Sequence, residues 1–144
     1  SEGSPADAWL QLAVDDLRPA MDQLLPELIV MDPDLSVMDS LDLVLHGQCR
    51  LLCEFSVDAV IELIGSGKTD GLFFDLDRYT SNQLKQLKAA VHALGGGYRF
   101  YFFTCKRRSM IDSSYLLTDD DVVVQKPFDA DEVSEYISLH FDLA

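Results

Sequence analysis

Gly71-Leu72-Phe73-Phe74-Asp75 decides the fold. The run has no polar face until it ends on a lone carboxylate. That is the signature of a central strand in a parallel sheet, covered on both sides by crossover helices. Three further runs read the same way. Leu28-Ile29-Val30-Met31 leads into Asp32-Pro33-Asp34, Tyr101-Phe102-Phe103 leads into Thr104, and Val122-Val123-Val124 leads through Gln125 into Lys126-Pro127-Phe128. Between them lie segments with apolar residues at helical spacing. In an open α/β sheet, ligands bind in the crevice beyond the carboxyl ends of the strands. Two or three carboxylates, one hydroxyl and one ammonium are therefore expected to converge there. Such a set suits a divalent cation and a phosphoryl group.

The first strand covers Leu28 to Met31, and a helix follows from about Asp34 to His46, with Leu35, Met38, Leu41 and Leu45 on its apolar face. Asp34 stands where an N-cap belongs. The second strand spans about Arg50 to Phe55; its helix starts at Ser56 or Asp58, carries Val57, Val60, Ile61 and Ile64, and stops at Gly65-Ser66-Gly67. After the Gly71–Asp75 strand, a third helix runs from about Ser81 to Leu94 and ends at Gly95-Gly96-Gly97. That glycine triplet is a helix stop; it lacks the spacing of a phosphate-binding loop. The fourth strand, Tyr98 to Phe103, is aromatic, which suits a strand. A fourth helix is expected over Arg107 to Leu117, although Ser109, Asp112, Ser113 and Ser114 lower its propensity. Asp119-Asp120-Asp121 makes an acidic turn without the spacing or closing Glu of a calcium loop. The last strand is Val122 to Gln125. The last helix, about Asp129 to Phe141, opens on Asp129, Asp131 and Glu132, which suits the positive end of its dipole. The alternation predicts a flavodoxin-like (βα)5 doubly wound sandwich, with five parallel strands in the order 2-1-3-4-5. Asp32 and Asp75 would then meet at the switch point.

In this order and spacing the elements resemble the receiver (CheY-like) domain of two-component response regulators. Asp32 to Asp75, Asp75 to Thr104 and Thr104 to Lys126 span 43, 29 and 22 residues. Lys126-Pro127-Phe128 after a valine run is the most telling piece, and the resemblance extends from about Leu28 to Leu143. It implies a signalling phosphoacceptor domain, an enzyme only in self-catalysed phosphotransfer and autodephosphorylation. Asp75 would take the phosphoryl group, Thr104 and Lys126 would contact it, and Pro127 would follow a cis bond. Mg²⁺ would be held by Asp32, Asp34, Asp75 and the backbone carbonyl of Asp77. A sensor histidine kinase or phosphotransfer protein would be the partner, with a fused or separate output domain. The sequence departs from the pattern at four places: Pro33 at the second acidic position, Tyr79 where the family has Pro, Gln83 where it has Gly, and Val123 where it has an aromatic switch residue. Pro33 is expected to weaken Mg²⁺ binding, with Asp34 as the available substitute. The alternative is a degenerate receiver. In that reading Lys126 and Asp75 form only an ion pair, Thr104 caps a helix, and the domain is a dimerisation or scaffold module of a larger regulatory or assembly protein.

Residues 1–26 form a separate reading. Trp9, Leu10, Leu12, Ala13, Leu17, Met21, Leu24 and Leu25 recur near helical spacing over Pro5 to Leu25, with Pro19 as a kink. This extension is either packed on the 27–144 domain or serves as a homodimerisation arm or the tail of a linker. The opening Ser-Glu-Gly-Ser-Pro, without Met, reads as the start of a piece of a longer protein. With 25 acidic against 11 basic residues the net charge is −14, which repels nucleic-acid backbones. Lys106-Arg107-Arg108 is the one basic cluster, read as a solvated helix start or an attractor of a phosphodonor. No stretch is apolar over the length of a membrane span. Cys49, Cys53 and Cys105 do not make a disulfide framework, and His46, His92 and His140 are too scattered for zinc. A cytoplasmic setting is the expectation.

Overall fold

The computed structural model describes residues 24–141. The proposed dimerisation arm, Pro5 to Leu25, lies outside the described residues except for Leu24 and Leu25 at its end. The elements are β1 (Glu27–Met31), α1 (Leu35–Val44), β2 (Arg50–Cys53), α2 (Val57–Gly65), β3 (Gly71–Asp75), α3 (Ser81–His92), β4 (Arg99–Thr104), β5 (Val122–Gln125) and α4 (Ala130–His140). All strand pairs are parallel, in the order β2-β1-β3-β4-β5, as the alternation requires.

The two-residue period of the strands sorts the core into two layers. Leu28, Val30, Phe73, Tyr101, Phe103 and Val124 pack under α1 and α4, against Val37, Leu41, Val133 and Ile137. Ile29, Met31, Leu72, Phe74 and Phe102 pack under α2 and α3, against Val60, Ile64, Leu84 and Leu87. β3 is buried at all five positions, which is why its sequence carries no alternation. The helices start on side chains that accept the orphan N–H groups of the first turn. Asp34 caps α1, Ser56 caps α2, Thr80 and Gln83 form a reciprocal box on α3, and Asp129 caps α4.

The fourth helix expected over Arg107 to Leu117 is absent. Two 3-10 turns, Arg108–Met110 and Ser113–Tyr115, take its place. The cause is local competition for backbone groups. Asp112 turns its carboxylate onto the Ser114 N–H at 2.8 Å, and Leu116 enters the left-handed region at φ 56°. Arg108 donates to the carbonyls of Thr118 and Asp121, which ties the segment back on itself. Tyr115 then donates its hydroxyl to the carbonyls of Leu76 and Tyr79, so the segment is fixed to the loop after β3.

Gly71 is required by close approach. A Cβ there would lie 2.8 Å from the Arg99 carbonyl oxygen and 2.8 Å from Leu28 Cδ2. Both neighbours belong to strands paired with β3, so neither can retreat cheaply. Gly71→Ala is expected to destabilise the domain by about 1–3 kcal/mol. Urea unfolding should show a lower midpoint at unchanged slope.

Candidate functional site

The register places Met31 beside Phe74. The next residue of each chain, Asp32 and Asp75, therefore ends its strand next to the other. Both are almost wholly buried, at 1% and 5% exposure. Lys126 follows β5 and is anchored from both sides: Val124 before it and Phe128 after it enter the α1/α4 layer, where the Phe128 ring stacks on Phe103 at 5.3 Å. The Lys126 N–H donates to the Thr104 carbonyl at 2.8 Å. Its ammonium reaches over β4 and lies 2.9 Å from Asp32 Oδ2 and 3.4 Å from Asp75 Oδ2. The Lys126–Pro127 peptide bond is cis.

The other oxygen of each carboxylate is also engaged. Asp32 Oδ1 accepts the Asp34 N–H at 3.0 Å, and Asp75 Oδ1 accepts the Asp77 N–H at 2.9 Å. Burial pushes the Asp75 carboxyl up, and neither the Asp77 N–H nor Lys126 cancels the effect. Burial alone would lower Lys126, but the hydrogen bond to Asp32 and the charges of Asp32 and Asp75 raise it above the ordinary lysine value.

Thr104 is fully buried but does not join this triad. It shares strand parity with Phe102, whose side is the α2/α3 layer, while Asp32, Asp75 and Lys126 share the parity of Val30, Phe73 and Val124. Its hydroxyl donates to Asp77 Oδ1 at 2.8 Å, and the Cys105 N–H donates to Asp77 Oδ2 at 2.6 Å. Burial opposes ionisation of Asp77, yet the Cys105 and Thr104 donors prevail and hold its carboxyl below the usual range. The Asp77 side chain was not given a role by sequence reasoning, which used only its carbonyl. Tyr79 and Tyr115 were missed too: Tyr79 donates to the Phe55 carbonyl at 3.2 Å, and Tyr115 closes over the loop between them. The unusual Tyr79 in that loop was the available signal.

The donors expected to hold Mg²⁺ do not gather as a metal set. The Asp34 carboxylate is exposed and serves the first turn of α1, accepting the Ser36 hydroxyl at 2.7 Å and the Ser36 N–H at 2.9 Å. Those bonds lower its pKa. Pro33 offers no side-chain donor, and the Lys126 ammonium lies against both remaining carboxylates, Asp32 and Asp75. Among the described residues no three His, Cys, Asp or Glu side chains are grouped to hold a metal. Mg²⁺ takes octahedral oxygen coordination, commonly through one or two carboxylates with waters completing the shell; of the expected side chains only Asp32 and Asp75 lie together, and their facing oxygens are taken by Lys126. The cysteines among the described residues are free, with Cys49 buried and Cys105 exposed. No described helix is long and apolar enough to cross a membrane.

No family model and no curated protein matches this sequence. Solved structures do. A response regulator from Thermotoga maritima superposes with a TM-score of 0.68 at 12% identity, covering 83% of this chain and 99% of that one. A response regulator receiver protein from Burkholderia phymatum gives 0.62 at 18% identity, covering 83% and 97%. The receiver domain in the Saccharomyces cerevisiae complex of the histidine phosphotransfer signaling protein Ypd1 with its downstream response regulator Ssk1 gives 0.64 at 13% identity, covering 79% and 87%. The chain has the flavodoxin-like fold of response-regulator receiver domains.

Lys126→Met would leave two buried carboxylates facing each other. The expected loss is about 3–5 kcal/mol. Because the folded-state pKa of Lys126 is raised, its contribution is fully present below the ordinary value of 10.5 and is lost as pH rises through the raised value. The stability gap between wild type and Lys126→Met should therefore be flat near neutral pH and narrow above 10.5. Denaturation series at several pH values check both points.

Proposed function

We propose that this chain is a receiver-type domain of two-component signalling whose output is protein contact independent of a bound metal. The observation that carries the reading is the position of the Lys126 ammonium, 2.9 Å from Asp32 and 3.4 Å from Asp75. A fixed internal cation neutralises the carboxylate pair where an external one would otherwise be needed. The switch region is then held by the chain's own charges. A surface suited to a protein partner lies alongside. Leu35 and Leu43 of α1 are 72% and 82% exposed, and a groove of about 440 Å³ runs between α1 and the Lys126–Ala130 turn, lined by Val37, Leu43, Val44, Pro127 and Phe128. Apolar side chains bordering a groove give a protein partner surface to bury. Likeness to a receiver bound to a histidine phosphotransfer protein supports a partner of that class.

A second reading has its own observation in favour. Asp75 is a carboxylate with an ammonium at contact distance at the carboxyl end of the central strand, which is the arrangement a phosphoryl acceptor needs. In that reading Asp75 attacks the phosphorus of an acyl phosphate, the donor's acyl–oxygen–phosphorus bond breaks, the carboxylate leaves, and Lys126 turns from Asp75 to the incoming phosphoryl oxygens.

Acetyl phosphate separates the two. On the metal-independent reading, the intact protein treated with acetyl phosphate and Mg²⁺ shows no added mass of one phosphoryl group, and its binding to the partner is the same with and without treatment. An acid-stable, base-labile adduct that disappears in Asp75→Asn would establish the second reading instead.

A further inference from the structure

The described helices do not carry the same charge. Asp39 and Asp42 lie on α1, Asp58 and Glu62 on α2, and Asp131, Glu132 and Glu135 on α4, with no Lys or Arg on any of the three. α3 has Lys85 and Lys88 and no acid. Among the described residues the ion pairs are those of Arg50 and Lys126, so no described carboxylate answers Lys85 or Lys88.

The sheet under α3 is also short of cover. Phe100, Phe102 and Val123 face the α2/α3 side, with Phe102 and Val123 paired in register. In place of a crossover helix, the segment after β4 is pinned at the carboxyl end of the sheet, where Tyr115 donates to the carbonyls of Leu76 and Tyr79. Phe100 and Val123, nearer the amino ends of their strands, stay half-buried. Lys88, Val91, His92 and Phe100 border a recess of about 340 Å³, and the Lys88 ammonium lies 6.0 Å from the centre of the Phe102 ring.

The chain before Leu24 has the opposite charge and matching apolar content. Glu2, Asp7, Asp15, Asp16 and Asp22 stand against Arg18 alone. At helical spacing Asp16 falls one turn from Leu12 and Ala13 and two from Trp9, so an acid sits within the apolar stripe. The starts of β1 and β4 lie at one end of the sheet, linked through Asp70, whose N–H donates to the Glu27 carbonyl and whose carbonyl accepts the Arg99 N–H. Two strand spacings, about 10 Å, separate them, and residues 19–26 can extend over about 25 Å.

We infer that the segment before Leu24 folds back as an amphipathic helix onto the face made by α3, β4 and β5, with Trp9 and its leucines over Phe100 and Val123 and Asp16 against Lys88. Apolar burial supplies the attraction. A surface ion pair adds little, so the charges select this face while the acids of α1, α2 and α4 repel the segment from theirs. The tether favours this occupant over a second copy by effective concentration. The inference is independent of the metal question, since it leaves Asp32, Asp75 and Lys126 untouched.

Trp9 is the chain's only tryptophan, so its emission in the full chain reports on the segment directly. Acrylamide, an uncharged quencher, should quench it several-fold less in the native protein than in urea, at every protein concentration and with a monomer's mass by light scattering. Lys88→Glu and Asp16→Lys should each raise the quenching and shift the emission to the red, and the two together should restore the shielding. If a charge reversal unfolds the domain, Lys88→Gln and Asp16→Asn take its place, each expected to raise the quenching. Native quenching as strong as in urea overturns the proposal. So does shielding that a folded Lys88 variant leaves unchanged, which puts the segment elsewhere, or shielding that appears only with a dimer's mass, which makes a second copy the occupant.

Discussion

One ammonium lets two carboxylates end adjacent strands. Parallel neighbours are about 5 Å apart, and at an effective dielectric of about 20 two like charges at that separation repel by roughly 3 kcal/mol. Asp32 and Asp75 sit side by side in this way and are nearly closed to water. Lys126 offsets the repulsion by contacting both, and the Asp34 and Asp77 N–H groups take the oxygens that face away from it. The arrangement depends on the sheet order. Only with β1 beside β3 do the two acids meet, and only with β5 on the far side of β4 does a long flexible side chain have the right distance to cross. The packing of Val124 and Phe128 on either side of Lys126 gives that reach a fixed base.

The same interaction sets what the crevice can hold. A buried ion triad with its hydrogen bonds satisfied is costly to rearrange, because displacing one member leaves the others uncompensated. Metal binding would ask for that displacement, because the carboxylate oxygens it needs are the ones Lys126 contacts. Asp34 illustrates the competition: its carboxylate satisfies the first N–H groups of α1, a local demand met within two residues of sequence. Helix capping and metal ligation draw on the same oxygens, and here the helix has them.

Most of the fold was legible because the strands state their burial outright. Leu72-Phe73-Phe74 has no polar face, so it had to be central, and glycines mark the ends of α2 and α3. Asp32, Asp75 and Lys126 were legible as a group because each follows an apolar run on the same strand parity. Two features were not. The Arg107–Leu117 segment has helix-like apolar spacing, but its outcome rests on Asp112 bonding its own backbone and on Tyr115 finding carbonyls 36 and 39 residues away. Propensity weakens a helix; it does not say what distant partner replaces it. The acceptor of the Thr104 hydroxyl was not legible for a simpler reason. Residues at a strand's end alternate like those inside it, so Thr104 shares the parity of Phe102. On that side its acceptor is Asp77, whose side chain had been given no role.

Charge on the whole chain and charge at the crevice act over different ranges. The net charge of −14 slows the approach of any anion, including acidic protein surfaces and nucleic acids. At physiological salt that field is screened within about 8 Å, so what happens at contact is decided by the nearest groups. Around the carboxyl ends of β3 and β4 those groups are of both signs: Asp77 and Asp112 border the same recess as Arg78 and Lys106. Distant acidity therefore tunes the rate of encounter, whereas these near groups decide what stays in contact.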